Sequence, residues 1–307
     1  SEIDAAVGEA ESAAEALQAA NDHVGLAEAA VALEYLEFMR GRIARSHAWA
    51  IRGLRHAIAA GRQREAAQSS ADVVHTAVIG PLPFEEFAAT ADSMLLSPDE
   101  PISAATGQAF MVLSALAAGD DDALEEREAL WRAIVDGHGL PWLGATHAHL
   151  FASVETWVGR PDAAERRLRE AREVLATMGD LWWVGTLDSS LCRAVAAQGH
   201  DREFLRLADA LEAAALVPDR QMQVRRNVVR ARAMLLRGSA AHAEASARRG
   251  LELAEPTDLV LDHADALLTL SDVLRERGFG DEADAAAGQA RAMLRSKGCH
   301  RPSSVDG

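Results

Sequence analysis

Lysine is almost absent from this chain: of its 31 basic residues only Lys297 is a lysine, and the rest are arginines. A phosphate-binding P-loop needs Gly-Lys-Ser/Thr, and Lys297 precedes Gly298 and Cys299, so nucleotide binding by that route is excluded. The arginine bias itself fits a GC-rich bacterial genome. Cysteine is scarce too, and Cys192 and Cys299 lie far apart, which leaves neither a disulfide framework nor a metal knuckle. A reducing cytoplasm is the expected location. Aromatics make up 5% of the residues and β-branched residues rarely run together, so strand is favoured almost nowhere. No apolar run reaches the roughly 20 residues that cross a bilayer, and no basic stretch followed by an apolar one opens the chain. A surplus of positive charge is lacking as well: the net charge is −16. Direct nucleic-acid binding needs a basic face that displaces counterions, and is excluded.

What is present is helix-forming residues and a period. The chain has 307 residues, 49% of them hydrophobic, enough for a sizeable core. It begins at Ser1 rather than methionine, which suggests processing or, the favoured reading, excision from a longer protein. Glycines fall at Gly41, Gly80, Gly119, Gly159, Gly199, Gly238 and Gly278, at spacings of 39, 39, 40, 40, 39 and 40. A second set of breakers, Gly139, Gly179, Pro218, Pro256 and Gly298, lies between them. Each period therefore holds two helices and two turns.

The second helix of each period carries an apolar stripe. Ala164, Leu168 and Ala171 follow Gly159 at helical spacing, as do Phe204, Ala208 and Leu211 after Gly199. Ala243, Ala247 and Gly250, then Ala283, Ala287 and Ala290, repeat the pattern. In the clearest copy, Asp162 to Met178, the stripe extends through Leu175 to Met178, and Asp162 is placed to cap the first turn. Such a helix needs a neighbour to cover its stripe, and stacking of copies supplies one. The expected fold is all-α, a right-handed α-solenoid of about seven helix-turn-helix repeats of tetratricopeptide (TPR) type. Residues 1–298 form the repeat domain, opening with one leading helix over residues 1–22, and residues 299–307 a disordered tail. Gly80 to Pro83 reads as a stiff turn and Ser97 to Pro101 as a loop before a helix over 104–118.

Aligned on its turn glycine, the repeat resembles the tetratricopeptide motif in a longer variety. Ala152, Cys192, Ala231 and Ser271 take the tight-packing position of the first helix, and Ala164, Phe204, Ala243 and Ala283 that of the second. The segments GRPDAAERRL (159–168) and TDLVLDHADALLTLSDVLR (257–275) further resemble the C-terminal region of bacterial STAND-type signalling ATPases, which often carry a cyclase domain in front or a LuxR-type DNA-binding domain behind. The resemblance spans roughly residues 9 to 298 and implies a sensor or scaffold arm. None of that family's catalytic motifs is carried over.

Chemical motifs are few. Gly278-Phe279-Gly280 mimics a dinucleotide fingerprint but joins two helices, where that fingerprint must follow a strand. His147 and His149, two apart, face different directions, and no metal set accompanies them. Asp120 to Asp122 follow Gly119 at a helix start and read as a cap. Tryptophans concentrate at Trp142, Trp157, Trp182 and Trp183, where repeat proteins wedge them between helices.

Positions facing the inside of a tetratricopeptide superhelix define a candidate concave groove. They carry Thr146, His149, Ser153, Thr156 and Trp157, then Thr186, Ser189 and Arg193, then Arg225 and Arg232, then Asp265, Asp272 and Arg275. Arg193, Arg225 and Arg232 gather positive charge suited to a carboxylate or phosphate. In the competing reading they pair with Asp265 and Asp272, and their loss would lower the melting temperature rather than weaken binding. The expected function is a non-enzymatic module with no cofactor or metal, holding a protein, a peptide or a small anionic effector in the groove. Membrane contact is not expected, and self-association is left open. The alternatives are an oligomerisation spacer, or an enzyme using His149, Asp265 or Asp272.

Overall fold

Helix-favouring composition cut by regular turns gives a helix-only chain. The computed structural model describes residues 2–94, 100–214 and 219–299. Among them are fifteen α-helices and no strand. They run α1 (Glu2–Ala19), α2 (His23–Met39), α3 (Ile43–Ala59), α4 (Gln63–Ile79), a 3-10 turn (Phe84–Glu86), α5 (Phe87–Met94), α6 (Pro101–Ala118), α7 (Asp121–Gly137) and α8 (Pro141–Trp157). Then follow α9 (Pro161–Thr177), α10 (Leu181–Ala197), α11 (Asp201–Ala213), α12 (Arg220–Leu236), α13 (Ala240–Ala254), α14 (Val260–Glu276) and α15 (Gly280–Lys297).

The chain forms two compact units, Ser1–His147 and Ala148–Gly307, divided within α8. In each, neighbouring helices pack in succession, and the first helices of successive pairs also touch: α2 on α4 and α4 on α6 in the first unit, α10 on α12 and α12 on α14 in the second. This is the solenoid-like helical repeat that the period implies. The small residues at the tight-packing positions, Ala152, Cys192, Ala231 and Ser271, are all buried, as are Ala164, Phe204, Ala243 and Ala283. The stripe of the second helices is buried throughout, with one exception. Met178 is exposed because α9 ends at Thr177 and Met178 is its C-cap.

Turn chemistry explains most boundaries. Gly41, Gly119, Gly159, Gly199, Gly238 and Gly278 take positive φ, the left-handed conformation that ends a helix. Gly80 does not. Pro81 follows it and drives it to extended backbone (φ −86°, ψ −167°), and a side chain there would lie 2.6 Å from the Thr76 carbonyl. In the second set Gly139, Gly179 and Gly298 are left-handed, joined by Gly61 and by Asn21 (φ 55°). Pro218 lies outside the described residues. Asp120 caps α7 through the Ala123 amide at 3.0 Å. Asp162, however, is not a cap: Arg160 holds that place, and Pro161 and Asp162 form the first turn, where the carboxylate complements the helix dipole. Of the expected loop, residues 97–99 lie outside the described residues, Glu100 caps α6 and Pro101 opens it.

Among the described residues one helix, α6, is long and apolar enough to cross a membrane by length and composition, with 61% of it buried, the pattern of a core helix. At the C-terminus Cys299 is buried, and its amide donates to the Leu294 carbonyl at 2.8 Å. Residues 300–307 lie outside the described ones.

Candidate functional site

In the second unit two polar stripes face each other. On α14, Asp262, Asp265, Thr269 and Asp272 are spaced three, four and three apart and so share one face; on α12, Gln221, Arg225 and Arg232 do the same. The stripes interlock. The Arg225 Nε donates to Asp262 Oδ1 at 2.6 Å, and the Gln221 amide donates to the other Asp262 oxygen at 2.8 Å. Two helical turns further along α12, Arg232 donates to Asp265 Oδ1 at 2.7 Å and to the Thr269 hydroxyl at 3.1 Å. Arg193 of α10 pairs with the remaining Asp265 oxygen.

Asp265 thus sits between two guanidiniums. Burial pushes its carboxyl up, but Arg193 and Arg232 outweigh burial and hold it below the usual carboxylate range. Burial conversely lowers the Arg193 pKa, against the pull of Asp265. Arg193 also lies over the Trp157 ring, 4.1 Å from its centroid, a cation–π contact that fixes the guanidinium plane.

A cavity of about 370 Å³ opens beside this triad. Its apolar walls come from Trp157, Phe204, Leu235, Leu236 and Leu268, and its polar wall from Arg193, Arg232 and Asp265. Asp201 and Asp272 add carboxylates, both exposed. Desolvation raises the Asp272 carboxyl above its ordinary value, while Arg232 and Arg275 pull it back. Leu236 is 46% exposed there, unusual for a leucine in this core.

Of the candidates named from sequence, then, Trp157, Arg193, Arg232, Asp265 and Asp272 line one cavity. His149, Ser189 and Arg225 do not. Arg225 is committed to Asp262 and reaches the Ser189 hydroxyl at 3.3 Å. The His149 Nε2 meets the Ser190 hydroxyl at 2.9 Å, a pair that superficially matches a base and a nucleophile, yet both residues are packed inside the unit. The hydroxyls of Thr146, Ser153, Thr156, Thr186 and Ser189 donate to carbonyls of their own helices, and of these residues Thr156 also lines the cavity. Arg275 pairs with Asp284 at 2.8 Å on the surface.

Sequence reasoning missed Asp262, Gln221 and Thr269. Their signal was the matching of spacings on two helices: carboxylates three apart on α14 opposite basic and amide residues four apart on α12.

Other reactive groups are buried. Burial, with Asp188 adding to it, pushes the Cys192 thiol up to about 12, and burial does the same to Cys299. Burial lowers the pKa of Lys297 to about 7. In the first unit burial takes His147 down to about 3; its Nδ1 accepts from the Trp131 indole at 3.2 Å, which leaves the ring proton on Nε2, 3.3 Å from the Ser70 hydroxyl. Among the described residues no group of three or more His, Cys, Asp or Glu is arranged to hold a metal ion.

No protein-family model and no curated protein matches the chain. A solved structure, the crystal structure of BtubC (BKLC) from P. vanneervenii, is similar at 18% sequence identity and a TM-score of 0.44, covering 73% of this chain and 96% of that one.

Proposed function

We propose that the second unit is a non-enzymatic binding module that takes an extended segment of a protein partner at the cavity beside Trp157, and that the chain serves as the sensor or scaffold arm of a larger bacterial signalling regulator. The observation that supports this reading is the cavity's composition. Exposed leucine and buried tryptophan surround guanidiniums whose planes are already fixed. A guanidinium has five N–H donors. Arg232 spends Nε and one terminal nitrogen on Thr269 and Asp265, so donors remain to meet main-chain carbonyls of a bound segment.

A small anion fits this site less well than the sequence implies. Arg193 and Arg232 are already matched by Asp265, and an incoming carboxylate would also meet Asp201 and Asp272. A neutral carbonyl pays no such repulsion. The resemblance to STAND-type regulators is what assigns the module to signalling.

The test is a selection of random peptides displayed against the full chain. Peptides are expected whose saturable binding is lost in Leu236→Glu, a change at an exposed position that leaves the helical signal and the melting temperature intact. If no selected peptide distinguishes Leu236→Glu from the wild type, the cavity is not the binding site.

A further inference from the structure

The first unit gathers its arginines in one run of the chain. From Arg40 to Arg64 the chain carries Arg40, Arg42, Arg45, Arg52, Arg55, Arg62 and Arg64 with no Asp or Glu, whereas α1 carries Glu2, Asp4, Glu9, Glu11 and Glu15 with no basic residue. The two segments partly neutralise each other: Arg40 pairs with Asp4, and Arg45 with Glu11, both at 2.6 Å.

Between α1 and α3, floored by Leu26 and Ala30 of α2, lies a groove of about 840 Å³. Its α3 wall presents Trp49, Arg52, Arg55 and His56. Arg45, Trp49, Arg52 and His56 are four, three and four apart and form one helical stripe. The Arg52 guanidinium stacks over the Trp49 ring at 4.5 Å, which orients its fork. Among the described residues neither Arg52 nor Arg55, unlike Arg45, makes an ion pair. On the facing wall Glu11 is taken by Arg45, leaving Glu15 as the carboxylate not engaged by an arginine. His56 reports the same local field. Its pKa is lowered by burial first and then by the positive charge of His23 and Arg52, and its Nδ1 lies 2.9 Å from that of His23.

We propose that this groove binds a small amphipathic organic anion, its carboxylate or phosphate held by Arg52 and Arg55 and its apolar body laid on Trp49, Leu26 and Ala30. Two forks on one groove wall, in a chain of net charge −16, select there for negative charge. A groove of this volume is in the range of small-molecule sites, roughly 300–1,000 Å³. Glu15 on the facing wall limits how much charge the occupant can carry, which favours one anionic head over a polyanion.

The probe is 1-anilinonaphthalene-8-sulfonate, an aromatic body with one anionic group, titrated by fluorescence into the full chain beside its neutral analogue N-phenyl-1-naphthylamine. The sulfonate dye is expected to bind at one saturable site, and the Arg52→Gln/Arg55→Gln pair to weaken it about tenfold or more, the loss of at least one charge-assisted hydrogen bond, with the neutral dye changed less than about twofold. Leu236→Glu, in the second unit, should leave the titration unchanged. Phenyl phosphate and benzoate as competitors assign the head group, and displacement by neither counts against the site. As a second readout that needs no variant, the dye should raise the His56 pKa followed by NMR, because an anion offsets the field of Arg52. Equal dye affinity in wild type and double variant, or no saturable binding, overturns the proposal.

Discussion

The two units use the same residue types in opposite ways. In the second, each interior carboxylate of the α14 stripe is met by a guanidinium: Asp262 by Arg225, and Asp265 by Arg193 and Arg232. In the first, Arg40 and Arg45 pair with Asp4 and Glu11 and both reach the buried Glu37, but other charges stand without an opposite one. Glu34 is buried on α2, where among the described residues only the Ser46 hydroxyl donates to it, at 2.8 Å, and burial together with the charge of Glu34 raises the carboxyl of its neighbour Asp72. Arg52 and Arg55 meanwhile stand at the groove without a carboxylate. Matched charges hold helices together, whereas unmatched ones are free to meet something else. Charge composition alone does not tell the two apart, because the difference lies in which helix faces which.

The largest effect expected from this contrast is at Asp265. Replacing it with alanine leaves Arg193 and Arg232 in a low-dielectric setting without their anion, and should cost about 3–5 kcal/mol in urea unfolding. A loss below about 1 kcal/mol, the value of a surface pair, would place the triad in effective contact with water.

The first unit should respond with the opposite sign. Burial, partly offset by the Ser46 hydrogen bond, raises the Glu34 carboxyl from 4.5 to about 7. A group whose pKa is higher folded than unfolded contributes stability that is full below the unfolded value and lost as pH rises through the folded one. Glu34→Gln should therefore stabilise the protein at about pH 8 by on the order of 2 kcal/mol and have little effect at about pH 4. An equal shift at both pH values would mean that the carboxyl titrates normally.

Trp157→Leu sharpens the comparison at intermediate size. Removing the ring beneath Arg193 should cost about 1–3 kcal/mol, from lost burial and the lost cation–π contact. If Asp265→Ala is already present, much of that cost should vanish, since Arg193 then has no fixed position to lose. The smallest expected effect is in Arg52→Gln/Arg55→Gln. Neither arginine is paired, so differential scanning calorimetry should find the melting temperature unmoved. A clear drop would show a structural role for one of them.

Much of the fold was legible because it rests on one repeated physical device, a left-handed glycine closing a helix and a small residue letting the next helix approach. Where another residue took over that device, the signal faded: Asn21 adopts the left-handed turn without being glycine, and the breaker 40 residues after Gly61 is Pro101, not a glycine. Gly80 kept the beat for a different reason, close approach to Ile43 and the Thr76 carbonyl. The candidate groove was only partly legible. Periodicity placed Trp157, Arg193, Arg232, Asp265 and Asp272 on successive first helices, and they line one cavity. It could not place Asp262, which absorbs Arg225, because pairing depends on the register between α12 and α14 and a helical period within one segment carries no such register. The basic run over α3 was visible in composition, but its meaning came only from seeing which of its arginines α1 covers.

The most direct test of the central claim is a double-mutant cycle on Arg232 and Asp265, using Arg232→Met and Asp265→Asn with stability read by urea unfolding. If the second unit's arginines are structural, the coupling energy should be about 1.5 kcal/mol or more, the range of close, partly buried charge pairs. A coupling below about 0.5 kcal/mol, with Arg232→Met leaving stability intact, would contradict it and return Arg232 to the pool of charges available for a ligand.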